Sequence, residues 1–257
     1  MKIAISGKGG VGKTTLAGLL AHKFRDDGFQ VLAVDADPDA NLASALGITP
    51  GEASGIVPLS HQEELIRERT GAEPGQFGQM FKLNPEVRDI PERFVHEFLG
   101  IKLLVLGAVQ KGGGGCACPE NVFLQSLLSE IILNRDEVIL LDMEAGIEHL
   151  GRAVTKAIDR MLIVVEPGSR SAATAGTILR LAREIGVESF GIIGNKVQSD
   201  QQRDWIAAQF TADLYLGTIS YSEIVREADL RQEALFAKQG DRLEQEIQGI
   251  YEKLKAG

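Results

Sequence analysis

Ile3-Ala4-Ile5-Ser6-Gly7-Lys8-Gly9-Gly10-Val11-Gly12-Lys13-Thr14-Thr15-Leu16 decides the fold of this chain. An apolar strand runs into a glycine-rich turn, and the turn opens a helical pattern that continues to Phe24. Gly7, Gly12, Lys13 and Thr14 meet the G-x-x-x-x-G-K-[ST] spacing of a phosphate-binding loop, in the strand-to-helix context that the motif needs. Glycines let backbone N–H groups turn inward around phosphates without Cβ clashes. The helix that follows adds the positive end of its dipole. Gly9 through Thr15 are therefore the expected nucleotide cradle. Lys13 is expected to reach the β- and γ-phosphates, and the Thr14 hydroxyl to sit on Mg²⁺. Lys8 has no part in that minimal scheme and needs its own explanation.

Working outward, short apolar runs alternate with helical patterns. Candidate strands are Lys2–Ser6, Val31–Asp35, Lys102–Leu106, Val138–Asp142, Met161–Glu166, Phe190–Asn195 and Leu214–Ile219. Runs such as Val138-Ile139-Leu140-Leu141 are nearly continuous, as in strands buried on both faces of a parallel sheet. Between them lie helical patterns at Thr14–Asp27, Glu120–Asn134, Leu150–Ala157, Ala172–Ile185 and Gln201–Phe210, with two more near Ser222–Leu230 and Asp241–Lys255. The pattern predicts an α/β, doubly wound, mainly parallel sheet with helices on both faces, its ligand at the carboxyl ends of the strands. One domain is expected over residues 1–257. Only Gly47–Gly100 breaks the rhythm. It is rich in Gly, Pro and Glu, shows a short helix near His61–Thr70, and reads as a loosely packed surface excursion or else a partner surface.

Composition narrows the setting. At 257 residues the chain buries an ample core without staples. Its formal net charge of −9 argues against nucleic acid or an anionic membrane as the main partner. No apolar run approaches the ~18 residues of a membrane span. Met1-Lys2 leads straight into the first strand, so no leader is expected. Two cysteines, two residues apart, fit a reducing cytoplasmic compartment better than a structural disulfide.

Other strand ends carry the remaining polar groups. The second ends in Asp35-Ala36-Asp37-Pro38-Asp39, three carboxylates that cannot all be buried without partners. Placed against phosphates, they would find Mg²⁺ or an attacking water. The fourth long run closes in Asp142, the expected second support for Mg²⁺, with Gly146 following. Asn195-Lys196 ends another strand, where such a pair commonly meets a purine. Gln198 leaves the guanine-type Asn-Lys-x-Asp unfinished, which favours adenine and hence ATP.

The pair Lys8 and Lys13, with Asp35-Ala36-Asp37-Pro38 following, resembles the deviant phosphate loop of the MinD/ParA/nitrogenase iron protein group of ATPases. The resemblance implies a homodimer in which Lys8 crosses the two-fold interface to the other subunit's nucleotide. It also implies that Asp37 orients the hydrolytic water. A cation supplied in trans would neutralise charge developing on the transferred phosphoryl group.

Gly112-Gly113-Gly114-Gly115-Cys116-Ala117-Cys118-Pro119-Glu120 is the second informative stretch. Cysteines at i and i+2 of an extended segment share a side. A disulfide across one intervening residue would be strained. The start of the helix at Pro119 is expected to lower the thiol pKa values. Two thiolates fall short of the four ligands of a closed Zn²⁺ site, and a two-fold dimer would supply four. The bland alternative is a pair of incidental reduced cysteines. This stretch, with Asp142-Met143-Glu144-Ala145-Gly146-Ile147-Glu148-His149, resembles the nickel-handling ATPases that serve carbon monoxide dehydrogenase (the CooC type) and acetyl-CoA synthase. That resemblance implies a metallochaperone whose ATP-closed dimer organises a Ni²⁺ or Zn²⁺ site on Cys116 and Cys118, with one of those two enzymes as client. His149 is a further candidate ligand. Two rivals stand beside it. One is an iron–sulfur electron donor of the nitrogenase iron protein type, whose cysteines come from well-separated positions. The other is a MinD- or ParA-like positioning ATPase, against which the mixed-charge tail Arg242–Gly257 argues.

Overall fold

Each long apolar run becomes a strand covered on both faces. The computed structural model describes residues 1–76, 78–107, 118–144, 152–231 and 242–256. Among them, one eight-stranded sheet runs in the order β3-β4-β2-β5-β1-β6-β7-β8. Its strands are β1 (Lys2–Gly7), β2 (Val31–Ala36), β3 (His96–Phe98), β4 (Ile101–Val105), β5 (Val138–Met143), β6 (Arg160–Val165), β7 (Phe190–Val197) and β8 (Tyr215–Ser220). All pairings are parallel save β3 with β4. The helices are α1 (Lys13–Asp26), α2 (Leu42–Leu46), α3 (Pro50–Ala53), α4 (Glu63–Thr70), α5 (Ile90–Phe94), α6 (Pro119–Asn134), α7 (Arg152–Lys156), α8 (Ser169–Glu184), α9 (Asp200–Ala207), α10 (Glu223–Arg231) and α11 (Arg242–Ala256).

Alternation along β1 divides the core. Ala4 joins one layer with Phe123, Leu127 and Ile131 of α6 and Ile178 of α8. Ile3 and Ile5 join the other, with Leu16, Leu20 and Phe24 of α1 and Ile247, Ile250 and Leu254 of α11. Leu16, Leu20 and Phe24 stand four residues apart, one stripe of the helix, and are at most 1% exposed. Burial of each such side chain contributes roughly 1.5–3 kcal/mol, which fixes α1 against the sheet and so fixes the loop before it. The Phe24 and Tyr251 rings meet edge to face at 4.9 Å, tying α1 to α11.

The doubly wound, mainly parallel architecture is the one predicted, with strand ends shifted by a residue or two. The expectation of a loosely packed excursion at 47–100 is corrected. Ile48, Leu59, Ile66, Val87 and Ile90 are buried in the two cores. The segment also holds β3, which reversed direction and a length of three residues hid from an apolar pattern. Thr49 starts α3 with a capping box: its hydroxyl accepts from the Glu52 N–H, and the Glu52 carboxylate accepts from the Thr49 N–H.

Candidate nucleotide site

The phosphate loop leaves the carboxyl end of β1, between β5 and β6. Gly12 sits at φ 96°, a left-handed conformation, and a Cβ there would overlap the Asn195 amide. Its carbonyl accepts the first α1 hydrogen bond, from Leu16 N–H at 3.1 Å. A cleft of about 690 Å³ opens above the loop, lined among others by Lys13, Thr14, Asp37, Glu144, Asn195 and Tyr221. Gly9, Gly10, Gly12, Lys13, Thr14, Thr15, Asp37 and the Asn195-Lys196 pair thus line one cleft. Lys13 is only 7% exposed.

Strand register brings the acids together. Asp142 on β5 lies opposite Asp35 on β2 and opposite Ile5 on β1. Asp35 is fully buried and accepts two backbone hydrogen bonds, from Leu42 N–H at 2.9 Å and Asp37 N–H at 3.2 Å. Burial nevertheless raises its acid to about 7, with the Asp142 charge adding to the rise. Of the three carboxylates in that turn, Asp35 therefore shapes the loop, Asp37 is half-buried in the cleft, and Asp39 is exposed. Sequence reasoning had no signal for this division, because only the register shows which acid points inward.

Asp142 differs from Asp35 in lacking partners. Both its carboxylate oxygens are buried without a well-formed hydrogen bond. Burial raises its acid to about 6; the Thr14 hydroxyl and the Lys13 ammonium pull it back, and Asp37 pushes it up again. Thr14 is thus near enough to favour the charged form, while neither carboxylate oxygen has a geometric hydrogen bond. An orphaned buried carboxylate beside a hydroxyl is a hard-oxygen donor set, and it fits Mg²⁺.

Lys8 points away from this centre. Its Nζ lies 3.4 Å from Oε1 of Glu166, just past the end of β6, in a half-exposed ion pair. Asn195 and Lys196 are turned to the loop itself: Asn195 Nδ2 donates to the Val11 carbonyl at 2.7 Å, and Lys196 Nζ donates to the Gly10 carbonyl at 2.5 Å.

Cys118 is the N-cap of α6 and is half-buried. Its thiol pKa is raised, by burial first and by Glu120 as well; two backbone N–H groups at the helix start only partly offset this. The expected lowering by the helix end is therefore overturned, because desolvation and a neighbouring carboxylate outweigh the dipole. Cys116, the glycines before it, Gly146 and His149 lie outside the described residues. Among the described residues, no three His, Cys, Asp or Glu side chains gather as a metal site, and no helix is long and apolar enough to cross a membrane.

The family model for the CobQ/CobB/MinD/ParA nucleotide binding domain matches residues 2–236. The chain is 47% identical over 229 residues to the carbon monoxide dehydrogenase accessory protein CooC of Rhodospirillum rubrum, covering 89% of this chain and 87% of that protein. It is 46% identical over 228 residues to an uncharacterized ATP-binding protein of Methanocaldococcus jannaschii, covering 88% and 87%. Among solved structures it resembles the MinD cell division protein of Aquifex aeolicus, with a TM-score of 0.69 at 21% identity, over 100% of this chain and 98% of that one. At that identity the likeness speaks for the fold alone.

Proposed function

The chain belongs to the CobQ/CobB/MinD/ParA nucleotide-binding family, and from that premise we propose that it hydrolyses ATP as a homodimer to deliver nickel to carbon monoxide dehydrogenase or acetyl-CoA synthase. The observation that carries the client class is the 47% identity to the Rhodospirillum rubrum accessory protein, since it spans 89% of the chain. The orphaned Asp142 carboxylate beside Thr14 supports the nucleotide half of the reading.

In this reading the loop N–H groups hold the phosphates and Lys13 neutralises the β- and γ-oxygens. Thr14 and Asp142 would hold Mg²⁺, which when bound adds charge neutralisation at the same phosphates. Asp37 orients the attacking water from the cleft wall. Lys8 leaves Glu166 and crosses to the nucleotide of the second copy, as an arginine finger does. Closure brings Cys116 and Cys118 of each copy together, so the nickel cargo meets four thiolates. Because the Cys118 thiol favours its proton, metal uptake releases that proton and strengthens as pH rises.

Anaerobic co-purification with each apo-enzyme tests the whole reading, with nickel measured on both proteins before and after hydrolysis. Nickel should pass to one of them only when ATP turns over. Transfer at the same rate without ATP would refute the coupling. A brown iron–sulfur chromophore on the purified chain would favour the electron-donor rival.

A further inference from the structure

We infer that Glu246, on the last helix α11, is a positioning residue for the nucleoside end of the cleft: it fixes the point at which β8 stops and the chain turns along the bound nucleotide. The inference deepens the nucleotide reading and rests on it.

Strand order tells the two ends of the cleft apart. Thr14 follows β1, Asp142 lies at the end of β5, and Asp37 follows β2. The sheet places β5 and β2 on one side of β1, and β6, β7 and β8 on the other. With Mg²⁺ and the attacking water on the β5 side, the terminal phosphate lies there too. The nucleoside then extends toward β7 and β8. Ser220, Tyr221 and Ser222 line the cleft there, together with Val225 and Arg226 of α10.

β8 is the last strand of the sheet, so alternate N–H groups along it have no strand to meet. At its end the Tyr221 N–H turns inward and donates to the Val197 carbonyl of β7 at 2.9 Å. The neighbouring Ser220 N–H faces the open edge, and Glu246 meets it there. Oε2 of Glu246 accepts from the Ser220 N–H at 2.7 Å, and Oε1 accepts from the Ser220 hydroxyl at 2.6 Å. Both bonds are short and charge-assisted. One carboxylate thus takes both donors of a single residue, which sets that residue's rotation as well as its place. The Glu246 side chain is only 18% exposed, so water competes weakly for it. Arg242 Nε, one turn earlier on α11, donates to the same Oε1 at 2.9 Å.

α11 gives the carboxylate a firm base. Leu243, Ile247, Ile250 and Leu254 are buried in the core that α11 shares with α1. Lys253 Nζ also donates to the Leu216 carbonyl, near the start of β8, at 2.6 Å. The helix therefore holds the strand near both ends, and Glu246 is its grip beside the cleft. α10 begins at Glu223, with the Arg226 N–H bonded to the Ser222 carbonyl at 3.2 Å, so the setting of Ser220 carries into the start of that helix. A wall fixed before binding costs the nucleotide less ordering than one that must settle around it. Glu246 bonds no residue of the phosphate loop, so the two ends of the cleft should respond separately.

Calorimetry with Mg-ADP and Mg-pyrophosphate reads the two ends apart, since pyrophosphate carries no nucleoside. Glu246→Ala should weaken ADP by about threefold to tenfold, the span of an ordinary hydrogen bond, and leave pyrophosphate unchanged. Glu246→Gln still accepts from the Ser220 N–H and pairs with its hydroxyl, so it should recover most of the lost ADP affinity. Ser220→Ala keeps the backbone bond and loses only the hydroxyl one. It should weaken ADP by about twofold, again with pyrophosphate unchanged, and it carries the test should Glu246→Ala fail to fold. Losses shared equally by ADP and pyrophosphate would mark a general loosening and overturn the inference, as would undiminished ADP binding in the two alanine variants. Failure of the unaltered chain to bind either ADP or pyrophosphate would instead sink the nucleotide reading beneath it.

Discussion

Around Lys13 the contacts come from the same chain: Asn195 and Lys196 of β7 bond the loop, and Thr14 at the start of α1 lies near Asp142 at the end of β5. Around Cys118 the chain runs short. One half-buried thiol caps α6 beside Glu120, and its acidity is shifted against the thiolate. The first site has its loop and its candidate Mg²⁺ donors in one copy and, as proposed, takes only Lys8 from a second. The second, as proposed, is completed by a second copy. A site of the first kind is ready for nucleotide at all times, whereas one of the second kind exists only while the dimer is closed. Under the proposed function, joining the two in one chain would make nucleotide state a switch for metal binding.

Lys8 is the proposed bridge between the regions, so its removal breaks the comparison most severely. Lys8→Ala should lower ATP turnover by about 10³-fold or more, the scale of a charge supplied in trans, and leave ADP affinity nearly unchanged. Steady-state turnover and light scattering with ATP measure both effects; a normal ATP-dependent dimer refutes the trans role. Cys118→Ser comes next. It should weaken nickel binding by about a hundredfold or more and leave ADP affinity intact, seen in anaerobic metal titrations at several pH values. Equal nickel affinity in the variant would remove Cys118 from the site.

Asp142→Asn sharpens the contrast by a smaller amount. An acid raised by burial from 3.8 to about 6 contributes stability that is fully present below pH 3.8 and lost as pH climbs through 6. The magnesium-free Asn variant should therefore be the more stable protein at pH 8, by up to about 3 kcal/mol, with the gap nearly closed at pH 4. It should also lose the stabilisation that Mg-ADP gives beyond ADP alone. Denaturant melts at the two pH values decide it, and a variant less stable at pH 8 would contradict an orphaned carboxylate. Thr49→Ala gives the smallest effect. Loss of the α3 cap should cost about 1 kcal/mol in a thermal melt and leave both ligand sites untouched. No loss there would remove the capping box as a source of stability for α3.

The uneven legibility of the sequence follows the same division. Gly7–Thr15 was readable because each residue's role depends on neighbours a few positions away, and the strands were readable because burial on both faces needs unbroken apolar runs. The roles of Asp35 and Asp142 were not separable, since register decides which carboxylate meets backbone N–H groups and which is left bare. Asn195-Lys196 was legible as a strand end near the nucleotide, but its bonds to Gly10 and Val11 span some 185 positions. For Cys118 the helix start was visible at Pro119, while the burial that outweighs its dipole depends on tertiary packing.

The central claim is that nucleotide closes a dimer and the dimer completes the metal site. An anaerobic nickel titration of the unaltered chain tests it most directly, run with ADP and with a non-hydrolysable ATP analogue while mass is followed by light scattering. The prediction is one tightly bound nickel per two chains, present with the ATP analogue and absent with ADP. One nickel per single chain, or the same affinity with both nucleotides, would contradict it.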